Sequence, residues 1–180
     1  MGASIALAAA LYLGAAIVFL GRRKPGYRHV AHSISELGEV GARDQGKVAF
    51  AVFLPVGLAL AAAAALSPPW PPALRSLAAC IAVGYVGGAL FPCDPGSPAA
   101  GSWRQGIHNL AGAVEYLGGA LSLFVLSETL GPVFQILGFV VGAVTVTLAF
   151  PNPFRGLIQR TAEAALFAGL VYGALRVGGA

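Results

Sequence analysis

Charged residues are scarce in this chain of 180 amino acids. They make up 10% of the sequence, whereas soluble domains carry about 25%. Hydrophobic residues make up 57%, and the mean hydropathy is +0.78. This composition excludes an ordinary soluble domain and a disordered chain, and it excludes a nucleic-acid-binding module despite the net charge of +4. It is typical of a protein that crosses a membrane several times.

Cysteine and histidine are also rare, with two and three residues. Cys80 lies within an apolar stretch and Cys93 in a connecting segment, and no CxxC pair is present, so the sequence excludes a disulfide framework. The GxSxG motif of the α/β-hydrolase nucleophile is missing as well. A haem carrier with two histidine ligands is disfavoured, because His108 is the only histidine at the edge of an apolar stretch.

Six apolar stretches predict an all-α membrane bundle of six transmembrane helices, forming one domain over residues 1–180. They cover residues 2–21, 48–66, 73–91, 107–126, 132–150 and 157–177. Each has the roughly 20 residues that a helix needs to cross a bilayer. The first stretch lacks a basic N-terminal region and is followed by Arg22, Arg23 and Lys24. We therefore expect a retained helix rather than a signal peptide.

The basic residues are concentrated after the first, third and fifth stretches. That group is Arg22, Arg23, Lys24, Arg28, Arg43, Lys47, Arg104, Arg155 and Arg160. Only Arg75 and Arg176 lie on the other side. The positive-inside rule then predicts a multi-pass protein of the cytoplasmic membrane, with the 22–47 connection inside and both termini outside.

The expected partners are membrane lipids and not nucleic acid, because the basic face would lie beside anionic headgroups. Glycines spaced four apart favour close helix crossings, and we expect them to serve packing within the chain, with a homodimer as the alternative. These pairs are Gly84 and Gly88, Gly138 and Gly142, and Gly169 and Gly173.

Polar side chains enter the fourth and sixth stretches from the same side. His108 and Glu115 share one helical face about two turns, or ~10 Å, apart. Ionisable groups inside a membrane cost at least ~2.5 kcal/mol each and are retained where they pair or line a wet cavity. We therefore predict a polar pocket that opens to the cytoplasm. Its expected members are Ser35, Glu36, Asp94, His108, Glu115, Arg160 and Glu163.

Such a pocket indicates, first, a lipid-directed hydrolase or transferase. Zinc is the candidate cofactor, with His108, Asp94 and either His32 or His29 as its ligands, because zinc accepts nitrogen and oxygen donors. Without a metal, Asp94 and His108 would form an acid/base pair. Ser33 or Ser35 would then be the nucleophile.

The residue roles follow from that hypothesis. The candidate catalytic residues are Asp94, His108, Glu115, Glu163 and Ser35. The candidate substrate-binding residues are Arg160, Arg104, Glu36 and Asn109, with Arg160 expected to hold an anionic headgroup. A small-molecule or proton-coupled transporter that uses Glu115 and Glu163 is the second hypothesis, and a non-catalytic accessory protein is the third.

Several short motifs carry a resemblance. They are Ser33-Ile34-Ser35-Glu36-Leu37-Gly38 after the first stretch, Phe91-Pro92-Cys93-Asp94 after the third, His108 opening the fourth and Gln159-Arg160 opening the sixth. In this layout the chain resembles the domain of unknown function 998 family, six-helix membrane proteins of bacteria and archaea. The resemblance implies six helices and a cytoplasmic-membrane location but no activity. It also implies that Ser35, Gly38, Asp94, His108 and Arg160 are the foremost candidate positions.

A weaker similarity is to alkaline ceramidases and adiponectin-receptor-like proteins, which hydrolyse lipid amides around zinc. The chain shares with them Ser, Asp and His residues near one membrane face. It lacks their seventh helix and the HxxxH motif, so the similarity is an analogy only.

Overall fold

The computed structural model describes residues 2–67 and 69–178. Within these ranges the chain forms six long helices and no strand. They are α1 (Gly2–Arg23), α2 (Gln45–Leu66), α3 (Pro72–Leu90), α4 (Trp103–Leu130), α5 (Pro132–Leu148) and α6 (Arg155–Gly178). Each predicted span coincides with one helix, and the ends differ by at most four residues.

The all-helical membrane-type fold is therefore confirmed. In the described part of the chain, α1 to α4 are long and apolar enough to cross a membrane. Helix α5 is apolar but has 17 residues, and α6 has 24 residues with Arg160 and Glu163 in its first turns. The count of six spans, rather than six helices, stays a prediction.

Local sequence explains where several helices begin and end. Pro72 and Pro132 start α3 and α5, where the missing proline N–H costs nothing. Gly131 joins α4 to α5 with a φ of 106°, a conformation that a side chain would strain. Ser102 caps α4, since its side chain accepts a hydrogen bond from the Gln105 N–H at 3.3 Å.

Helices that follow one another in sequence pack together, and α1 also packs against α6, so that the bundle closes. Helices α3 and α6 meet at its centre. The half of the bundle near the short α2–α3 and α4–α5 connections is filled by fully buried side chains. These include Leu74, Leu77, Leu123, Leu166 and Leu170.

Two helices contain a short π-helical segment, Val48–Phe53 in α2 and Val114–Gly118 in α4. Such segments interrupt the regular hydrogen-bond ladder and are frequent at functional sites, because they redirect side chains. The segment in α4 carries Glu115 and Tyr116.

The connections at 24–44, 91–102 and 149–154 meet on one side of the bundle, which we call the loop side. The Val40 N–H donates to the Cys93 carbonyl, and the Leu157 N–H donates to the Val30 carbonyl, both at 2.9 Å. The predicted grouping of these connections on one face therefore agrees with the contacts. Their orientation toward the cytoplasm stays a prediction.

Candidate functional site

A cavity of about 360 Å³ lies beneath the loop side, among α3, α4, α5 and α6. Its polar lining includes Ser35, Tyr85, His108, Asn109, Glu115, Tyr116, Arg155, Gln159 and Glu163. Apolar groups such as Phe53 and Leu148 complete the wall. Four of the seven residues expected in the pocket are therefore part of its lining.

Ser35 and His108 form a hydrogen-bonded pair at this cavity. The Ser35 Oγ lies 3.1 Å from Nε2 of His108, and Nδ1 of the same ring lies 2.9 Å from the Phe91 carbonyl oxygen. A carbonyl oxygen only accepts, so the bond to Phe91 assigns the proton of the neutral ring to Nδ1. Nε2 is then free to accept the Ser35 proton, which is the arrangement of a nucleophile beside its base.

The turn that carries Ser35 is held by three hydrogen bonds. Ser33 and Glu36 form a reciprocal cap, with the Glu36 N–H on Ser33 Oγ at 3.2 Å and the Ser33 N–H on Glu36 Oε1 at 2.8 Å. The Ile34 N–H donates to the Gln159 side chain of α6 at 2.6 Å. These bonds fix the backbone around Ser35 and engage the carboxylate of Glu36, which is not among the residues that line the cavity.

Cys93 supports the same turn from the α3–α4 connection. Its thiol donates to the Ser35 carbonyl oxygen at 3.4 Å. Burial raises the pKa of the Cys93 thiol to about 12, so the side chain is not a thiolate nucleophile near neutral pH.

Asp94 does not pair with His108. Its carboxylate accepts hydrogen bonds from the backbone N–H and the hydroxyl of Ser102, both at 2.7 Å, and these bonds lower the pKa of Asp94. The Asp94 side chain thus stabilises the 91–102 connection where it joins α4. The Phe91 carbonyl takes the place at the imidazole that we expected for Asp94.

The three candidate zinc ligands are also held apart by other partners. Nδ1 of His32 accepts the Arg28 N–H at 2.9 Å, and the ring stacks on Tyr27. Both nitrogens of His108 and the carboxylate of Asp94 are engaged as described above. Among residues 2–67 and 69–178, no group of three His, Cys, Asp or Glu side chains is arranged to hold a metal ion.

The Arg160 side chain donates hydrogen bonds to other residues of the protein and is not part of the lining of this cavity. Its Nη1 donates to the carbonyls of His29, His32 and Gly156 at 2.7, 3.0 and 2.8 Å, and its Nη2 donates to the Tyr27 hydroxyl at 2.5 Å. The geometry therefore does not support the predicted headgroup contact for Arg160. The guanidinium instead fastens the 27–32 segment to the start of α6.

Of the arginines and lysines in the described ranges, Arg155 lines the cavity. It donates to the Gly96 carbonyl at 2.9 Å and lies 3.5 Å from the Ser97 hydroxyl. Arg155 was not predicted as a site residue, because its place among the loop-side basic residues indicates only topology. Asn109 lines the cavity as expected, although its amide nitrogen donates to the Ala99 carbonyl at 2.9 Å. Arg104 is not among the lining residues.

The inner end of the cavity holds two buried carboxylates. Glu163 accepts the hydroxyl of Tyr85 on Oε2 at 2.8 Å and the hydroxyl of Tyr116 on Oε1 at 2.7 Å. Glu115 packs against Gly84, where a Cβ would collide with its carboxylate. In the part of the chain that the structure describes, Oε1 of Glu115 has no hydrogen-bond partner.

Tyr85 was missed by the sequence analysis. A signal was present, since tyrosine in a membrane protein prefers the interface and Tyr85 lies well inside α3. A buried tyrosine needs a partner for its hydroxyl. The sequence does not identify Glu163 as that partner, because it does not determine how α3 and α6 face each other.

Comparison with known proteins identifies the family of the chain but no activity. No curated protein and no solved structure matches the chain. A family model matches residues 6–176, nearly the whole sequence. The chain thus belongs to the family described as Protein of unknown function (DUF998), as its motifs indicated.

Proposed function

We propose that this membrane protein is an acyl hydrolase or acyltransferase that acts on lipids, with Ser35 as nucleophile and His108 as base. The observation that carries the proposal is the contact of 3.1 Å between Ser35 Oγ and His108 Nε2 at the wall of a cavity. The bond from His108 Nδ1 to the Phe91 carbonyl keeps the imidazole in the tautomer that a base requires.

The reaction proceeds in two steps. Nε2 of His108 takes the Ser35 proton while Oγ attacks the carbonyl carbon of an ester. The ester C–O bond then breaks, the acyl group stays on Oγ, and the imidazolium returns the proton to the leaving alcohol. Water or a second alcohol attacks the acyl-serine with proton transfer in the reverse order, which releases an acid or a new ester and restores Ser35.

A lipid substrate is supported by the surroundings of the pair. The cavity lies within an apolar helical bundle, and Phe53, Leu148 and Ala149 contribute to its wall. Arg155 brings a guanidinium whose two protein partners, Gly96 and Ser97, are uncharged. A guanidinium of this kind suits the phosphate of a lipid headgroup.

The packing of the bundle favours an enzyme over a carrier. A carrier needs a path to the opposite face at some stage of its cycle. Below the cavity, Leu77, Leu123 and Leu166 are completely buried. Their packing supports a site reached from one side, as an enzyme requires.

The proposal is tested by labelling with a fluorophosphonate, which reacts with activated serines. The protein is purified in mild detergent and the adduct is located by peptide mass spectrometry. We expect one adduct, on Ser35, that is lost in Ser35→Ala. His108→Gln should slow the labelling by about 10²- to 10⁴-fold, the usual contribution of a general base.

Ser33→Ala is the matched control. It changes a serine of the same turn and removes a cap, at a cost of about 0.5–2 kcal/mol, but leaves the nucleophile in place. It should still be labelled on Ser35. The proposal is wrong if the folded wild-type protein is not labelled, or if His108→Gln is labelled as fast as the wild type.

A further inference from the structure

We infer that the inner end of the cavity is a binding site for a primary ammonium group, with Glu115 and Glu163 as its acceptors. This end, formed by Tyr85, Glu115, Tyr116 and Glu163, is called the carboxylate floor below. The inference goes beyond the proposed function, because the floor is separate from Ser35 and His108. On one face of α4, Glu115 lies about two turns, ~10 Å, from His108.

The two carboxylates of the floor differ in their hydrogen bonding. Glu163 is satisfied, since each of its oxygens accepts a tyrosine hydroxyl. Glu115 is only 6% exposed, lines the cavity, and has no hydrogen-bond partner for Oε1 within the described ranges. A buried polar atom without a partner costs about 1–3 kcal/mol, and more if it is charged. A donor that enters the cavity would remove this cost.

The charge of the carboxylate floor favours a cation as its ligand. Two carboxylates in one cavity inside an apolar bundle repel each other when both are ionised, and each loses its hydration. A bound cation compensates for both effects. Tyr85 and Tyr116 add electron-rich rings to the floor, and aromatic rings attract ammonium groups.

The donors and acceptors of the floor suit an ammonium group better than a metal ion. In the part of the chain that is described, no three His, Cys, Asp or Glu side chains form a metal site. A primary ammonium instead needs acceptors for three N–H groups. Glu115 Oε1 and the Glu163 carboxylate provide acceptors, and the hydroxyls of Tyr85 and Tyr116 donate their protons to Glu163 and so keep lone pairs available.

The backbone also creates the space for this arrangement. Glu115 and Tyr116 lie in the π-helical segment Val114–Gly118, which directs consecutive side chains toward α3 and α6. Gly84 leaves the room that the Glu115 carboxylate occupies, because a Cβ there would overlap with it.

Few other ionisable groups act on the floor. Helix α3 contributes Cys80 besides Tyr85, and α6 contributes Arg160 one turn before Glu163. The Nη atoms of Arg160 donate to the carbonyls of His29, His32 and Gly156 and to the Tyr27 hydroxyl. Protons therefore compete with the ammonium group for Glu115 and Glu163 themselves, and amine binding should weaken as the pH falls.

The test measures binding of n-propylammonium chloride by isothermal titration calorimetry in a nonionic detergent. Sodium chloride at equal ionic strength and n-propanol are the ligand controls, because one lacks the amine and the other lacks the charge. We expect saturable binding of the amine alone at neutral pH, and weaker binding at acid pH. Absence of saturation up to roughly 100 mM amine would overturn the inference.

Three variants locate the site. Glu115→Gln keeps the shape but removes the charge, and should weaken binding about 10- to 100-fold, the usual effect of a hydrogen bond to a charged group. Glu128→Gln changes an exposed glutamate of the same helix and should leave affinity unchanged. Ser35→Ala should bind the amine normally, so a failure of the proposed enzyme and a failure of this inference are distinguishable.

Thermal unfolding without ligand checks that Glu115→Gln is folded. If it unfolds early, Gly84→Ala is used, because the added methyl group displaces the Glu115 carboxylate and should likewise weaken binding. Unchanged affinity in a folded Glu115→Gln or Gly84→Ala protein would show that the amine binds elsewhere and would overturn the inference.

Discussion

Arg160→Ala should destabilise the protein without removing a cavity ligand. The guanidinium donates to three backbone carbonyls, those of His29, His32 and Gly156, at 2.7 to 3.0 Å. A hydrogen bond to a charged donor is worth about 1.5–3 kcal/mol. The sum of three such bonds is an upper limit for the decrease in the free energy of unfolding. Water at the loop side weakens each bond, so we expect this free energy to fall by about 3–5 kcal/mol.

The assay is thermal unfolding of the purified protein in one detergent, followed by circular dichroism. For a chain of this length, 1 kcal/mol shifts Tm by roughly 2–4 °C, so the expected decrease is on the order of 10 °C. Arg160→Lys should recover part of it, because an ammonium keeps the charge but cannot reach all of these acceptors at once.

Arg22→Ala is the control, since Arg22 is an exposed cation at the loop-side end of α1. It should change stability by less than about 0.5 kcal/mol. The assignment of Arg160 as a structural residue is refuted if Arg160→Ala unfolds at the wild-type temperature while it loses affinity for lipid phosphate. That result would restore the headgroup role expected from the sequence.

Three further predictions concern the loop side. Hydrogen bonds from Arg23 and Lys47 lower the pKa of Asp44 to about 2. The stabilisation that they provide is complete above the ordinary carboxyl pKa of about 3.9, and it is lost as the pH falls toward about 2. Asp44→Asn should therefore reduce the acid dependence of Tm between these values, and an unchanged profile would contradict the ion pair. Cys93, with its pKa raised to about 12, should resist a maleimide at pH 7.5 in the folded Cys80→Ala protein and react after denaturation; fast labelling of the folded protein would disprove its burial. Gly156→Ala should lower Tm by several degrees because its Cβ would collide with the backbone of residues 29–32, and a wild-type Tm would show that this contact is loose.

Much of the fold was predictable from sequence because it depends on local properties. An apolar run of about 20 residues is helical in a membrane, since lipid offers no partner for a free backbone N–H or C=O. A proline that limits a helix, and a basic cluster that sets the topology, each act within a few residues of their own position. This is why α1 to α6 lie close to the predicted spans and why the connections after α1, α3 and α5 meet on one side.

The candidate site was predicted in part. Ser35, His108, Glu115 and Glu163 line one cavity as expected. Helical periodicity places His108 and Glu115 on one face of α4, and both α4 and α6 enter the bundle from the loop side. The roles of Asp94 and Arg160 were not predictable. Each side chain found backbone or hydroxyl partners in connections whose conformation the sequence pattern does not determine.

By itself, the sequence determined that this is a helical membrane-type protein of the DUF998 family with polar groups at one end of the bundle. Only the tertiary structure decided that His108 turns to Ser35 and Phe91, and that Glu163 receives two tyrosine hydroxyls. It likewise decided that one oxygen of Glu115 receives no hydrogen bond from the described residues. The physical reason is that hydropathy reports the environment of each residue separately. The pairing of side chains depends instead on how each helix is rotated about its axis, which here includes a π-helical segment that shifts Glu115 and Tyr116.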